Sequence, residues 1–149
     1  MDIRLREVGE DDLEVLFAFE QEPEAVSRSR FPPRDHDRFM AHWRANVMRG
    51  DGVLVRAVVV DGTVAGSLVT WDEDDGRRFL GYWLGRAFWG RGIGTAALRA
   101  FLGIDRSRPL HADPHEGNTA SRRVLERVGF ADEGVVLHGA QRHVLYVLR

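Results

Sequence analysis

Cysteine and lysine are absent from the chain, and asparagine and tyrosine occur only twice each. Without cysteine there is no disulfide, no thiolate metal site and no sulfur nucleophile on the protein. Any group transfer here must proceed without a cysteinyl intermediate. The absence of lysine leaves all 21 basic residues as Arg, as a GC-rich coding sequence produces. No apolar run reaches the length of a membrane span, since Val53–Val60 is short and interrupted by Arg56. Met1-Asp2-Ile3-Arg4 lacks the apolar segment of a secretory signal, so a cytoplasmic location is expected. A net charge of −2 provides no basic field for nucleic acid. The pairs Arg77-Arg78 and Arg122-Arg123 read as solvated faces.

What is present suffices for one folded domain over residues 1–149, with 44% apolar residues to bury without staples. Ile3–Val8 alternates as a strand, and Gly9-Glu-Asp-Asp12 reads as a helix start with acids in its first turn. Leu13, Leu16, Phe17 and Glu20 continue that helix. Pro32-Pro33 breaks the chain, and a second helix begins at Asp35 or Asp37 with Phe39, Trp43 and Val47 on one face. Val53–Val60 is a strand, Asp61-Gly62 a hairpin turn, Thr63–Trp71 its partner and Arg77–Leu84 a third strand. From Trp89 to Leu102 the spacing turns helical. Pro109–Ala112 is a short strand. Thr119–Val128 is a helix with Ala120, Val124 and Val128 inward, closed by Gly129. Val135–His138 and His143–Leu148 are the last strands. This order predicts an α/β domain, a mixed sheet with helices on both faces and a parallel crossover around residues 79–112.

Gly90-Arg-Gly-Ile-Gly94 lies between a predicted strand and a predicted helix. Glycines there let backbone N–H groups approach an anion, and the helix start adds its partial positive charge. The loop lacks the Gly-Lys-Ser/Thr ending of a Walker loop and the glycine spacing of a dinucleotide fingerprint. By itself it is open between an anion seat and a plain turn.

A companion segment, Asn118-Thr-Ala-Ser-Arg-Arg-Val-Leu-Glu-Arg-Val-Gly-Phe130, supplies the context. Together the two resemble the GNAT superfamily of N-acetyltransferases. The pattern Gln/Arg-x-x-Gly-x-Gly/Ala is matched at Trp89–Gly94, with Trp89 where Gln or Arg is usual. Gly81-Tyr-Trp-Leu-Gly85 and Asn118-x-x-Ser121 with Gly129-Phe130 look most like the branch of ribosomal-protein alanine N-acetyltransferases.

The resemblance implies a mostly antiparallel twisted sheet of six or seven strands, about four helices and splayed central parallel strands. It implies acetyl-CoA as cofactor and direct transfer to a primary amine, on a peptide N-terminus or a small molecule. Trp89, Gly90, Arg91, Gly92, Ile93, Gly94 and Thr95 would surround the pyrophosphate, with amides from Arg91 to Thr95 as donors. Trp83 and Leu84, on a strand splaying from Leu110–Ala112, would hold the pantetheine arm and polarise the thioester carbonyl. Asn118 would bond the cofactor arm, cap the next helix, or do both.

Many members carry a Tyr as acid where this chain has Leu125; the alanine-acetylating branch offers a Ser, matching Ser121. Ser121 reads either as that acid or as a serine of the capping region. For the base, His138 offers an imidazole, the side chain most used for that role, though an exposed strand-end histidine is the stronger reading. Asp113, His115 and Glu116 read as a water-mediated base cluster or a polar loop, with spacing too loose for a metal. Tyr82 is a third base candidate, with sheet packing as the alternative. For the acceptor, Phe31, Phe39, Trp43 and Trp71 line an apolar pocket or form core, and Arg28, Arg30 and Arg34 would meet an acidic acceptor. Homodimers are common among such proteins, but no interface signature is visible. Two other readings stand beside the enzyme: a non-catalytic acyl-CoA sensor, which Leu125 favours, and a nucleotide-binding protein.

Overall fold

The computed structural model describes residues 1–149. Seven strands form one sheet: β1 (Ile3–Arg6), β2 (Leu54–Val60), β3 (Thr63–Asp72), β4 (Arg78–Leu84), β5 (Leu110–Ala112), β6 (Ala131–His138) and β7 (Gln141–Leu148). Their order is β1-β2-β3-β4-β5-β7-β6, and only β4 and β5 run parallel. Five helices complete the fold: α1 (Leu13–Gln21), α2 (Pro23–Ser29), α3 (His36–His42), α4 (Ile93–Ile104) and α5 (Thr119–Arg127). The expected mixed, mostly antiparallel sheet with helices on both faces is what forms. No helix is long and apolar enough to cross a membrane.

Local chemistry explains most boundaries. Asp61 and Gly62 both adopt positive φ (48° and 81°), as the turn joining β2 to β3 requires. The Asp35 side chain accepts the Arg38 N–H at 2.9 Å and starts α3. That helix runs on into one wide turn, Trp43–Val47, closed by Met48 N–H to the Trp43 carbonyl. The additional helix is α2, which the sequence reading passed over. Glu22 is held extended before Pro23, and its carboxylate caps the Ala25 N–H at 2.8 Å, so the chain stops one helix and starts another.

Strand alternation divides the apolar residues between the two sheet faces. Val58, Leu68, Leu80, Leu110 and Tyr146 pack under α4 and α5 with Leu98, Phe101 and Leu125. Leu13, Leu16, Phe39, Met40 and Trp43 form a second cluster, against Val55 and Val69 of the opposite face. Two expectations need correcting. Phe39 and Trp43 are buried and stacked at 5.5 Å in this second core, so they line no pocket. On α5 the fully buried residue is Leu125, while Val124 is half-buried and Ala120 exposed. Val124 and Val128 still pack against the core, as expected, but Ala120 does not, and the face carrying Ala120 and Val124 also borders a cleft.

β4 and β5 share only two register pairs, Arg78↔Leu110 and Phe79↔His111, and then part. The start of β4 is fixed by a buried charge network. Thr70 Oγ1 and Arg78 Nε donate to the Asp105 carboxylate at 2.6 and 2.9 Å, and Arg78 also reaches the Gly52 carbonyl at 2.7 Å. Burial alone would raise the Asp105 carboxyl, but the bonds from Thr70, Ser107 and Arg78 overcome it and hold it at about 2. The resulting stability is present above the unfolded value near 3.8 and is lost as pH falls toward 2. Elsewhere burial lifts the Glu20 carboxyl from 4.5 to about 7, against the pull of Arg34 at 3.4 Å.

Two stability measurements test these assignments. Asp105→Asn should cost about 3 kcal/mol in urea unfolding near neutral pH, because the buried charge pair is broken and Arg78 keeps only the exposed Asp72 as counter-charge. That gap should narrow below about pH 4, and an unchanged gap would remove the ionised carboxylate from the explanation. Glu20 has the opposite sign. Its support is complete below its unfolded value of 4.5 and is lost as pH rises through about 7. Wild type should therefore lose up to about 3 kcal/mol across that window, and Glu20→Gln should flatten the profile.

Candidate functional site

A cleft of about 560 Å³ opens between the end of β4, the loop before α4 and the start of α5. Every residue expected to touch the cofactor lines it except Arg91, which is exposed with its guanidinium 5.9 Å from the Phe88 ring. The loop geometry follows from its glycines. Gly90 and Gly92 have φ of +70° and +75°, a region that costs other L-residues about 1–2 kcal/mol. Gly92 is the residue before α4 and supplies no side-chain cap. The first bond of that helix end runs from Ala96 N–H to the Gly92 carbonyl at 3.2 Å. The amides of Ile93, Gly94 and Thr95 have no carbonyl behind them within the helix. Thr95 Oγ1 is also buried without a hydrogen-bond partner. An uncapped helix start with an orphaned hydroxyl fits a pyrophosphate.

Beyond the loop, the edge of β4 that parts from β5 has no strand partner after Phe79. Tyr82 stands on that stretch and faces α5. Its hydroxyl lies 2.7 Å from Ser121 Oγ and 3.0 Å from the Ser121 carbonyl, to which it donates. Burial raises the Tyr82 phenol, and the hydrogen bond to Ser121 only partly offsets it. The phenol therefore keeps its proton, which suits a donor and not the base considered from sequence. Asn118 Oδ1 accepts the Ser121 N–H at 3.3 Å, so it caps α5 while lining the cleft.

His138 is not part of this cluster. It sits exposed at the end of β6, with Nε2 2.7 Å from Asp113 Oδ2 and its ring edge-on to His143 at 4.4 Å. Phe79, Asp113, Leu145 and the turn acids Glu73, Asp74 and Asp75 share a second hollow of about 430 Å³ with it. Phe79 and Trp83 alternate with Tyr82, so this hollow lies on the sheet face opposite the cleft. Trp71, half-buried, stacks on Phe79 at 6.3 Å, and Phe31 lies edge-on to Trp83 at 6.0 Å. These two aromatics remain accessible on that side, in contrast to Phe39 and Trp43. No group of His, Asp and Glu here has the arrangement of a metal site.

Sequence reasoning gave Arg28 to an acidic acceptor, whereas it lines the cleft, and it passed over the cleft arginines Arg123 and Arg127. The signal was available on α5, where Arg123 and Arg127 fall on the same stripe as Ala120 and Val124. That stripe had been read as core-facing.

Residues 2–131 match the family model described as the acetyltransferase (GNAT) domain. The chain belongs to that family. It is 34% identical over 104 residues to "Putative ribosomal N-acetyltransferase YdaF" of Bacillus subtilis (strain 168), a match covering 65% of this chain and 56% of that protein's length. Among solved structures, aminoglycoside acetyltransferase AAC(6')-Ib in complex with coenzyme A superposes with a TM-score of 0.81 at 21% identity, over 99% of this chain and 94% of the other. The ribosomal L7/L12 alpha-N-protein acetyltransferase RimL superposes with a TM-score of 0.77 at 21% identity, over 98% and 89%. At these identities the superpositions establish the shared fold.

The orphaned hydroxyl gives a direct test. Thr95→Val removes a buried unsatisfied group and should leave the fold as stable or up to about 1 kcal/mol more stable. The same change should weaken coenzyme A binding about tenfold by calorimetry. An unchanged dissociation constant would show that the hydroxyl does not meet the ligand.

Proposed function

We propose that this protein transfers an acetyl group from acetyl-CoA directly to a primary amine, on a protein N-terminus or a small molecule. The observation that carries the reading is the uncapped start of α4, with its orphaned Thr95 hydroxyl, beside the unpaired edge of β4. Acetyl-CoA supplies an acetyl group activated as a thioester. The amides from Arg91 to Thr95 bind its pyrophosphate, and Asn118 offers its amide nitrogen to the pantetheine arm. The free N–H of Leu84, on the edge of β4 that has lost β5, receives the carbonyl oxygen, where negative charge develops during attack, while the Trp83 N–H faces β3. With no cysteine in the chain, attack by the amine is direct.

Ser121 is the group that delivers a proton to the departing sulfur and recovers one from solvent, and Tyr82, whose own proton goes to the Ser121 carbonyl, orients it through the 2.7 Å contact. Leu125, at the position of the usual family tyrosine, is fully buried and cannot reach the cleft. Tyr82 brings a phenol to the same helix one turn earlier. The acceptor approaches from the opposite sheet face, through the gap where β4 and β5 part. There Trp71 and Phe31 offer apolar wall, and His138 held by Asp113 is the base that takes up the amine proton.

Thiol release from acetyl-CoA with a panel of amines and N-terminal peptides tests the reading. Release with at least one acceptor is expected. Tight coenzyme A binding without release from any acceptor favours the sensor, and preference for ATP over coenzyme A would overturn both. Ser121→Ala should lower kcat about a hundredfold with little change in the KM for acetyl-CoA, and Tyr82→Phe about tenfold. Full turnover in the alanine variant would remove Ser121 from the chemistry.

A further inference from the structure

Trp89 occupies the position where the family pattern has Gln or Arg, and the structure shows what it does instead. Its indole N–H donates to the Leu84 carbonyl at 3.0 Å, which fixes the ring plane at the cleft wall. On that ring lies the Arg28 guanidinium of α2, 4.2 Å from the centroid. The positive charge missing from the loop at position 89 is thus present at the same wall, contributed from a different helix. Arg28 has one other partner, Glu24, reached by Nε at 3.4 Å. Both side chains of that pair are close to half exposed, where an ion pair contributes little. The two terminal nitrogens of Arg28 make no hydrogen bond.

The corner that carries Arg28 is anchored. Trp83 Nε1 donates to the Phe19 carbonyl at 3.0 Å, and Arg86 pairs with Glu22 at 2.9 Å. Phe19 lies edge-on to Phe88 at 6.5 Å and packs flat over Gly85, where an added Cβ would come within 2.5 Å of its ring. The chain leading into α2 is therefore fixed against the end of β4, and only the stacking on Trp89 orients the guanidinium. Its planar fork matches two phosphate oxygens at once.

We propose that Arg28 is a pyrophosphate ligand delivered by α2, with Trp89 as the platform that aims it. This rests on the acetyl-CoA reading of the cleft. Arg28 supplies from outside the loop the cationic contact that backbone amides alone do not make.

Calorimetry with coenzyme A and with 3′-dephospho-coenzyme A, for wild type, Arg28→Gln and Arg28→Lys, tests it. Arg28→Gln should weaken both ligands about tenfold and equally, since both carry the pyrophosphate. The fall in affinity with added salt should be shallower than in wild type, because one charge contact is gone. Arg28→Lys should recover most of the affinity and the salt slope. Loss confined to coenzyme A would place Arg28 on the 3′-phosphate and overturn the assignment. Loss with an unchanged salt slope, or equal loss in the lysine variant, would make Arg28 a structural clasp and overturn it as well. Wild type that binds neither ligand would overturn the acetyl-CoA reading itself, before any variant is compared.

Discussion

β4 is fastened at one end and free at the other, and the cleft exists because of that asymmetry. At its start, Arg78 is locked to Asp105 and Thr70 in a buried network that ties the strand to the end of α4. Past Phe79 it has lost β5, which ends at Ala112 and is paired on its other edge with β7. A sheet that continued to pair would have no gap and no free amides. The network also carries a cost of its own kind. The buried Asp105 carboxylate is tolerable only while Arg78 is beside it, so the fold is sensitive at this point to losing Arg78, whereas Arg78 is partly exposed and keeps Asp72 as a second partner.

Much of this was readable from sequence where one residue type solves one local problem. Asp61-Gly62 announced its hairpin because few residues tolerate two successive positive φ values. Asn118 and Asp35 announced helix starts because a short polar side chain can satisfy a free N–H. Gly90 and Gly92 announced a loop that exposes its backbone. What stayed hidden depended on competition between plausible faces. Phe39 and Trp43 and the stripe Ala120–Val124 have the same helical spacing, yet the first pair is wholly core and the second straddles the core and the cleft. Spacing identifies a stripe but not what lies opposite it. The division of α1 from α2 is visible in Glu22-Pro23, a segment the sequence reading passed over.

The candidate catalytic groups divide the same way. Tyr82 and Ser121 lie far apart in sequence and meet because β4 is directed at the start of α5. His138 and Asp113 meet on the other face because the β6–β7 hairpin folds back over the loop after β5. The sequence contained all four residues without the pairing, since pairing is a property of sheet order. The pair on each face suits one half of the proposed reaction, proton delivery on the cleft side and proton removal on the other.

Phe19 resting on Gly85 has a consequence for how the family to which this chain belongs can vary. A methyl group at position 85 would occupy space now held by the ring, and Phe19 is itself confined by Phe88. Neither position can enlarge alone without moving α1 off the strand end. Evolutionary drift at these sites should therefore be correlated, with a side chain at 85 appearing only in lineages where residue 19 has become smaller.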